Sequence, residues 1–159
     1  MKTAMKIRIS LLFVLLGMFI SSSAFAKNLT GQCGDDAWFS YDGNGTLTIT
    51  GTGEVDNSND LYSIQDDVTT IIIGEGITEI GDSMFYGWKK VANVTFPSTL
   101  IEIGDAAFSN CKKITEITLP GSLEDFGTYV FYDTSLEKKL YCAKESQKYG
   151  ILHSTIVAI

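Results

Sequence analysis

The side chains able to make or break bonds are few, and their spacing does not favour it. A Ser/His/Asp relay needs an imidazole, and the sole histidine of the 159-residue chain is His153, close to the C-terminus. The same scarcity excludes His-rich metal sites and most general-base designs. No GxxxxGK[ST] loop occurs, and Gly51-Thr52-Gly53 lacks the third glycine of a phosphate-binding turn. Asp56-x-Ser58-x-Asp60, with Asp67 at the twelfth position, imitates the ligand spacing of a calcium loop. The sixth position, which such a loop gives to glycine, is Leu61. Cys33, Cys111 and Cys142 are odd in number, so in an oxidising compartment at least one stays unpaired or pairs between chains. The residues point away from an enzyme, and no cofactor and no metal is expected.

Recognition remains, and composition narrows the partner. The chain is 45% hydrophobic with a net charge of −7. Residues 28–88 hold 11 acids and no Lys or Arg, whereas 89–159 hold 8 lysines and 8 acids. So acidic a body is poorly suited to nucleic acid or to anionic membrane surfaces, which ask for clustered cations.

The N-terminus reads as an address. Lys2, Lys6 and Arg8 precede the apolar run Ile9–Ile20, which is too short to span a bilayer comfortably. Ala24-Phe25-Ala26 closes it with small residues around a bulky one. This is the pattern of a signal peptide cut after Ala26 (residues 1–26), with no membrane insertion after cleavage and a secreted or cell-envelope destination. Sequons for N-glycosylation occur at Asn28, Asn44 and Asn93 and matter only in a host that glycosylates.

The elements that would position a binding surface come from an internal repeat. Segments beginning at Val68, Val91 and Ile114 align with a period of 23, and the register continues to Gly150. Gly81, Gly104 and Gly127 share a column, as do Phe85, Phe108 and Phe131. Ile77-Leu100-Leu123 and Ile80-Ile103-Phe126 form two more, and the strand columns run Ile71-Val94-Ile117-Leu140 and Ile73-Phe96-Leu119-Cys142. A period in this range with an apolar-x-x-apolar-x-apolar opening predicts a leucine-rich-repeat solenoid. The fold class expected is an α/β-class solenoid of parallel short strands with short helical or 3₁₀ turns. Pro97 and Pro120 should stop the strands, and the column glycines should permit the sharp turn of each coil. Asp82 and Asp105 should cap one helical turn carrying Phe85 and Phe108, with Lys89-Lys90 and Lys112-Lys113 at its C-terminal end. Cys111 and Cys142 fall in different core columns and read as small buried hydrophobes.

Residues 27–67 depart from the period. Trp38–Tyr41, the connection Asp42-Gly43-Asn44-Gly45 and Thr46–Thr50 predict a β-hairpin that covers the first coil, followed by a polar connector through residue 67. Residues 68–159 form the solenoid, of about three to four coils including a C-terminal cap in which Lys144–Tyr149 looks helical and Ile151–Ile159 adds a closing strand.

The stretch Val91–Cys111, read as V-x-x-V-x-F-P-x-x-L-x-x-I-G-x-x-A-F-x-x-C, resembles the BspA-type bacterial-surface leucine-rich repeat. The opening at residues 31–53 is similar to the cap segment that often precedes such repeats. The resemblance covers about residues 31–159 and implies a secreted or cell-surface protein of the adhesion and protein-contact type.

In a solenoid, sequence columns become physical rows. The outward strand rows should be Thr70-Asn93-Glu116-Lys139 and Ile72-Thr95-Thr118-Tyr141. Ile72 and Tyr141 are apolar groups on a face that should be wet, which makes these rows the candidate binding face for a protein or glycoprotein partner; strand propensity alone would also select them. A second row, Glu79-Glu102-Asp125, stacks like charges, which splay into water unless a cation or a basic patch sits there. The reading is a secreted, adhesin-like, non-enzymatic binding module. The alternative is a structural subunit that docks onto a longer repeat protein, and neither residue counts nor spacing indicate the oligomeric state.

Overall fold

The structure, a computed structural model, describes residues 28–56, 59–136 and 140–142. The expected signal peptide, Lys139, His153, the turn expected at Gly150, the helix expected at Lys144–Tyr149 and the closing strand expected at Ile151–Ile159 lie outside the described residues.

The N-terminal cap is built by alternation. Strands β1 (Leu29–Gln32), β2 (Asp36–Tyr41) and β3 (Thr46–Val55) pair antiparallel in sequence order. β2 alternates exposed Asp36, Trp38 and Ser40 with buried Ala37, Phe39 and Tyr41, the period-2 signature of a half-buried strand. The hairpin expected between Trp38 and Thr50 is present, with Tyr41 opposite Leu47. Its loop is held by Asp42, whose Oδ1 accepts from the N–H groups of Asn44 (2.7 Å) and Thr46 (2.9 Å). Strand β1 was not legible beforehand, and β3 runs on through Gly51–Val55 where a connector was expected.

That extension serves as the first rung of two parallel stacks. The first half of β3 pairs with β4 (Thr70–Ile73), placing Leu47 beside Ile71 and Ile49 beside Ile73. Past a bulge, the second half pairs with β5 (Ile77–Ile80). One stack continues from β4 to β6 (Asn93–Thr95). The other continues from β5 through β7 (Glu102–Ile103) to β9 (Asp125–Phe126). Strands β8 (Ile117–Leu119) and β10 (Leu140–Cys142) pair parallel further along, Thr118 beside Tyr141. Each chain turn thus lays one strand on each of two faces; within the repeat, partners are 23 residues apart, as in Thr70↔Asn93 and Glu79↔Glu102, whereas Leu47 of the cap lies 24 residues before its partner Ile71.

The third side of each coil corrects an expectation. No helical turn forms at 82–88 or 105–111; among the described residues the sole α-helix is α1 (Asn59–Tyr62). Ser83, Ala106 and Tyr129 take left-handed φ values of 56°, 55° and 58°, and Gly87, Asn110 and Asp133 take 75°, 62° and 57°. A left-handed residue at each end of the segment stops a helix from propagating. Hydrogen bonds instead alternate. The N–H groups of Ser83, Phe85 and Gly87 donate to Asp105, Ala107 and Ser109 of the next coil, each at 2.8 Å. Those of Met84, Tyr86 and Trp88 close local turns on Gly81, Ser83 and Phe85. The next coil repeats the pattern, so every backbone N–H from residue 83 to 88 is satisfied without a helix.

Asp82 and Asp105 likewise reach forward instead of capping their own turn. Asp82 Oδ1 accepts from the Asp105 N–H at 2.6 Å. Asp105 Oδ1 accepts from the Thr128 N–H (2.6 Å) and hydroxyl (2.8 Å), and these bonds hold its carboxyl below the usual range. Such charge-assisted bonds are among the stronger polar contacts available at a surface.

The column glycines also act differently from expectation. Gly81, Gly104 and Gly127 are absent from the positive-φ residues. A Cβ on Gly127 would lie 2.5 Å from Asp105 N and 2.5 Å from Gly104 C. Gly104 and Gly127 need glycine because a neighbouring coil passes within contact of the Cα, not because a left-handed φ is required.

The core is the product of the columns. Phe85, Phe108 and Phe131 stack with centroids 5.1 and 5.5 Å apart, and Trp88 meets Phe85 edge-on at 5.2 Å. Ile77, Leu100 and Leu123 line up behind them, fully or almost fully buried.

Candidate functional site

Alternation that points Leu47, Ile49, Ile71 and Ile73 inward points their neighbours out. Because β3 and β4 pair in register, the expected rows extend into the cap. One row runs Ser40-Thr48-Ile72-Thr95, and the other runs Thr46-Thr70-Asn93. Of the residues proposed from sequence, Ile72, Asn93, Thr95, Glu116 and Thr118 are exposed and Thr70 is half-buried. Tyr141 is in register with Thr118, which keeps it in the second row.

The cap contributes residues that repeat arithmetic missed, because the cap does not share the repeat. Trp38 pairs across to Gln32 and to Thr50, its indole 53% exposed on the same face. Thr30 and Ser40 adjoin it. The available signal was the alternation Thr46-x-Thr48-x-Thr50, which marks an outward threonine edge once β3 is known to pair with β4. Across this face the side chains are hydroxyls, amides, one indole and one isoleucine, with carboxylates at Asp36 in the cap and Glu116 in the repeat.

The β5–β7–β9 face has the opposite character. Register places Glu54, Glu79, Glu102 and Asp125 in one file. The sequence row was three acids long, and the cap adds Glu54. Burial first, then the carboxylates of Glu102, Glu54 and Asp82, push Glu79 above the ordinary glutamate range. The folded chain therefore holds that proton to higher pH than the unfolded chain, so stability falls as pH rises through the raised value. Glu79→Gln is expected to raise Tm at pH 7 by roughly 1–2 °C, since like charges opposite each other cost a few tenths of a kcal/mol. Thermal melts at several pH values check it: the gain should shrink toward about pH 3, where wild type is protonated as well. A gain that does not vary with pH counts against the charge argument.

The residues singled out for bond chemistry are otherwise employed. Leu61, at the glycine position of the calcium-like spacing, is buried in the core. Cys33 is 1% exposed and burial pushes its thiol up to about 11; Cys111 is fully buried, and burial pushes it up to about 12. The Cys111 thiol donates to Phe85 O at 3.2 Å. Both are free thiols held in the core, as expected for Cys111. Lys112 pairs with Asp133 of the next coil. Among the described residues no helix is long and apolar enough to cross a membrane.

The BspA type leucine rich repeat region matches residues 57–150, in 6 copies. The chain belongs to the BspA-type leucine-rich-repeat family. The match starts ahead of Val68, and the buried Leu61 and Ile64 show why: that segment already contributes to the core. Among solved structures, a leucine-rich repeat protein from Eubacterium ventriosum is similar with a TM-score of 0.58 at 23% identity, over 75% of this chain and 40% of that one. A leucine-rich repeat protein from Bacteroides capillosus gives a TM-score of 0.49 at 22% identity, over 72% of this chain and 99% of that one. At 23% identity the likeness to the Eubacterium ventriosum protein is one of fold. The chain spans less than half the length of the Eubacterium ventriosum protein. No curated protein matches it. A shared fold does not by itself assign a function, so function has to be read from this chain's own faces.

Proposed function

We propose that this BspA-type chain is an exported, adhesin-like, non-enzymatic binding module. A protein or glycoprotein partner docks on the outward strand face, at Thr70, Ile72, Asn93, Thr95, Glu116, Thr118 and Tyr141, and the 23-residue period of the sequence adds Lys139. The observation that carries the reading is the exposure of Ile72, 38% accessible between Thr48 and Thr95 of the neighbouring strands. An apolar group fixed on rigid strands is a pre-formed anchor that loses little entropy on binding. The basic, apolar and small-residue sequence of the N-terminus supports export.

The test compares partner capture by wild type with that by Ile72→Asp and Thr95→Arg. Both variants should lose at least about tenfold in affinity while Tm stays within about 2 °C, because the changed side chains are exposed. Lys89→Ala, at a different corner of the coil, should bind as wild type. Loss of binding in Lys89→Ala together with normal binding in the two face variants would move the site off the sheet.

A further inference from the structure

We propose that the partner is recognised through a neutral glycan carried on a glycoprotein, stacked on the Trp38 indole and hydrogen-bonded by the hydroxyl rows beside it. The inference rests on the sheet-face reading above and names the chemistry of its ligand.

Its first support is the sign of the charge present. Residues 28–88 hold 11 acids and no Lys or Arg. Along the outward rows of β1, β2, the first half of β3 and β4 the side chains are uncharged except Asp36, two residues from Trp38 on the same face. With no cation on these strands an anionic ligand meets no counter-charge. A carboxylate beside the indole accepts hydrogen bonds, which suits the hydroxyls of an uncharged sugar.

The second support is the kind of group present. A pyranose has an apolar C–H face and an equatorial rim of hydroxyls. Trp38 offers an exposed aromatic plane, held on a strand paired on both sides, with Gln32 and Thr50 as its cross-strand neighbours. Beside its own row, Ser40-Thr48 lies two residues along the strands and Thr46-Thr70-Asn93 two residues further, on strands about 4.8 Å apart. Hydroxyls and amides both donate and accept, which suits sugar hydroxyls that do the same. Gly74, just past the end of β4 and close to Thr50, leaves the row from Trp38 low on that side. An aromatic flanked by adaptable polar groups on a rigid support is the arrangement that recognises flat, amphipathic ligands.

Immobilised asialofetuin, a glycoprotein whose N-glycans end in neutral sugars, is the probe, beside the same polypeptide stripped of its glycans. The full chain should be retained on the first and not on the second. Retention should persist from 0.15 to 0.5 M salt, because no ion pair is involved. Trp38→Ala should reduce it by at least about tenfold, and Trp38→Phe should keep part of it. Both variants should melt as wild type, since the indole is exposed. Equal retention on the stripped polypeptide would overturn the glycan inference while leaving a protein-binding module standing. Absence of retention on asialofetuin, loss of retention at 0.5 M salt, or full retention by Trp38→Ala would also overturn it. Failure of the broader reading is distinguishable, because it appears as normal partner capture by Ile72→Asp and Thr95→Arg.

Discussion

Phe108→Ala is expected to cost about 3–5 kcal/mol and to be the most damaging single substitution in the repeat. Phe108 is fully buried and stacked on both sides, 5.1 Å from Phe85 and 5.5 Å from Phe131, with Phe96 edge-on at 5.7 Å. Truncation removes the transfer free energy of a benzyl group and three ring contacts together. The cavity cannot close cheaply, because Phe108 N donates to Val130 O and Phe85 N donates to Ala107 O, which fixes the coil spacing from the backbone. Set against a typical total stability of about 5–15 kcal/mol, that is a large share. In a solenoid each coil contacts only its neighbours, so a weakened middle rung also uncouples the coils on either side. Thermal and urea unfolding followed by circular dichroism should show a Tm lower by 10 °C or more, by order-of-magnitude scaling. A melt within about 2 °C of wild type would refute the phenylalanine stack.

Gly127→Ala is expected to destabilise by roughly 2–3 kcal/mol, a sign that the local sequence does not predict. Where glycine has an ordinary φ and open space, alanine commonly stabilises by about 0.4–1 kcal/mol, because it restricts the unfolded chain. At Gly127 the new methyl would meet Asp105 N and Gly104 C, both at 2.5 Å, and Asp105 Cα at 2.8 Å. All three atoms are backbone of the preceding coil, so no side chain can step aside. The coils must part, which stretches the bond from Gly127 N to Ile103 O (2.8 Å) and those from Thr128 to the Asp105 carboxylate. Gly87→Asn is the control. Gly87 has φ 75° and nothing within 4 Å of its would-be Cβ, and the same place one coil on is Asn110 at φ 62°. That variant should melt close to wild type. Urea midpoints for the two variants decide the matter: a stabilised Gly127→Ala would return the glycine column to a role in turning the chain.

The outward rows were legible because they depend only on period and alternation. Once strands repeat every 23 residues, Thr70 must neighbour Asn93, and Ile72 must neighbour Thr95. Trp38 and the threonines of β3 escaped notice because the cap lies outside the period. Its place on the same face follows from the parallel pairing of β3 with β4, a contact that no spacing in the sequence records.

The sequence by itself determined the solenoid, its period and its core columns. Each coil is too short to bury its own apolar side chains, so Phe85, Phe108 and Phe131 are useful only when stacked, and their spacing shows it. It also determined the uneven charge and the outward rows, which alternation alone settles. Tertiary structure decided how the backbone of each coil is satisfied. The sequence from Gly81 to Trp88 is compatible with a capped helical turn, since Asp82 is a good N-cap residue. The neighbouring coil offers Asp105, Ala107 and Ser109 carbonyls at 2.8 Å, and bonding to them draws alternate N–H groups out of any helix. The same close approach converts Asp82 from a cap into a tie between coils and Gly104 and Gly127 from turn formers into contact points. These choices depend on the distance between backbones a full period apart, a quantity set when the coils pack and absent from any local window of the sequence.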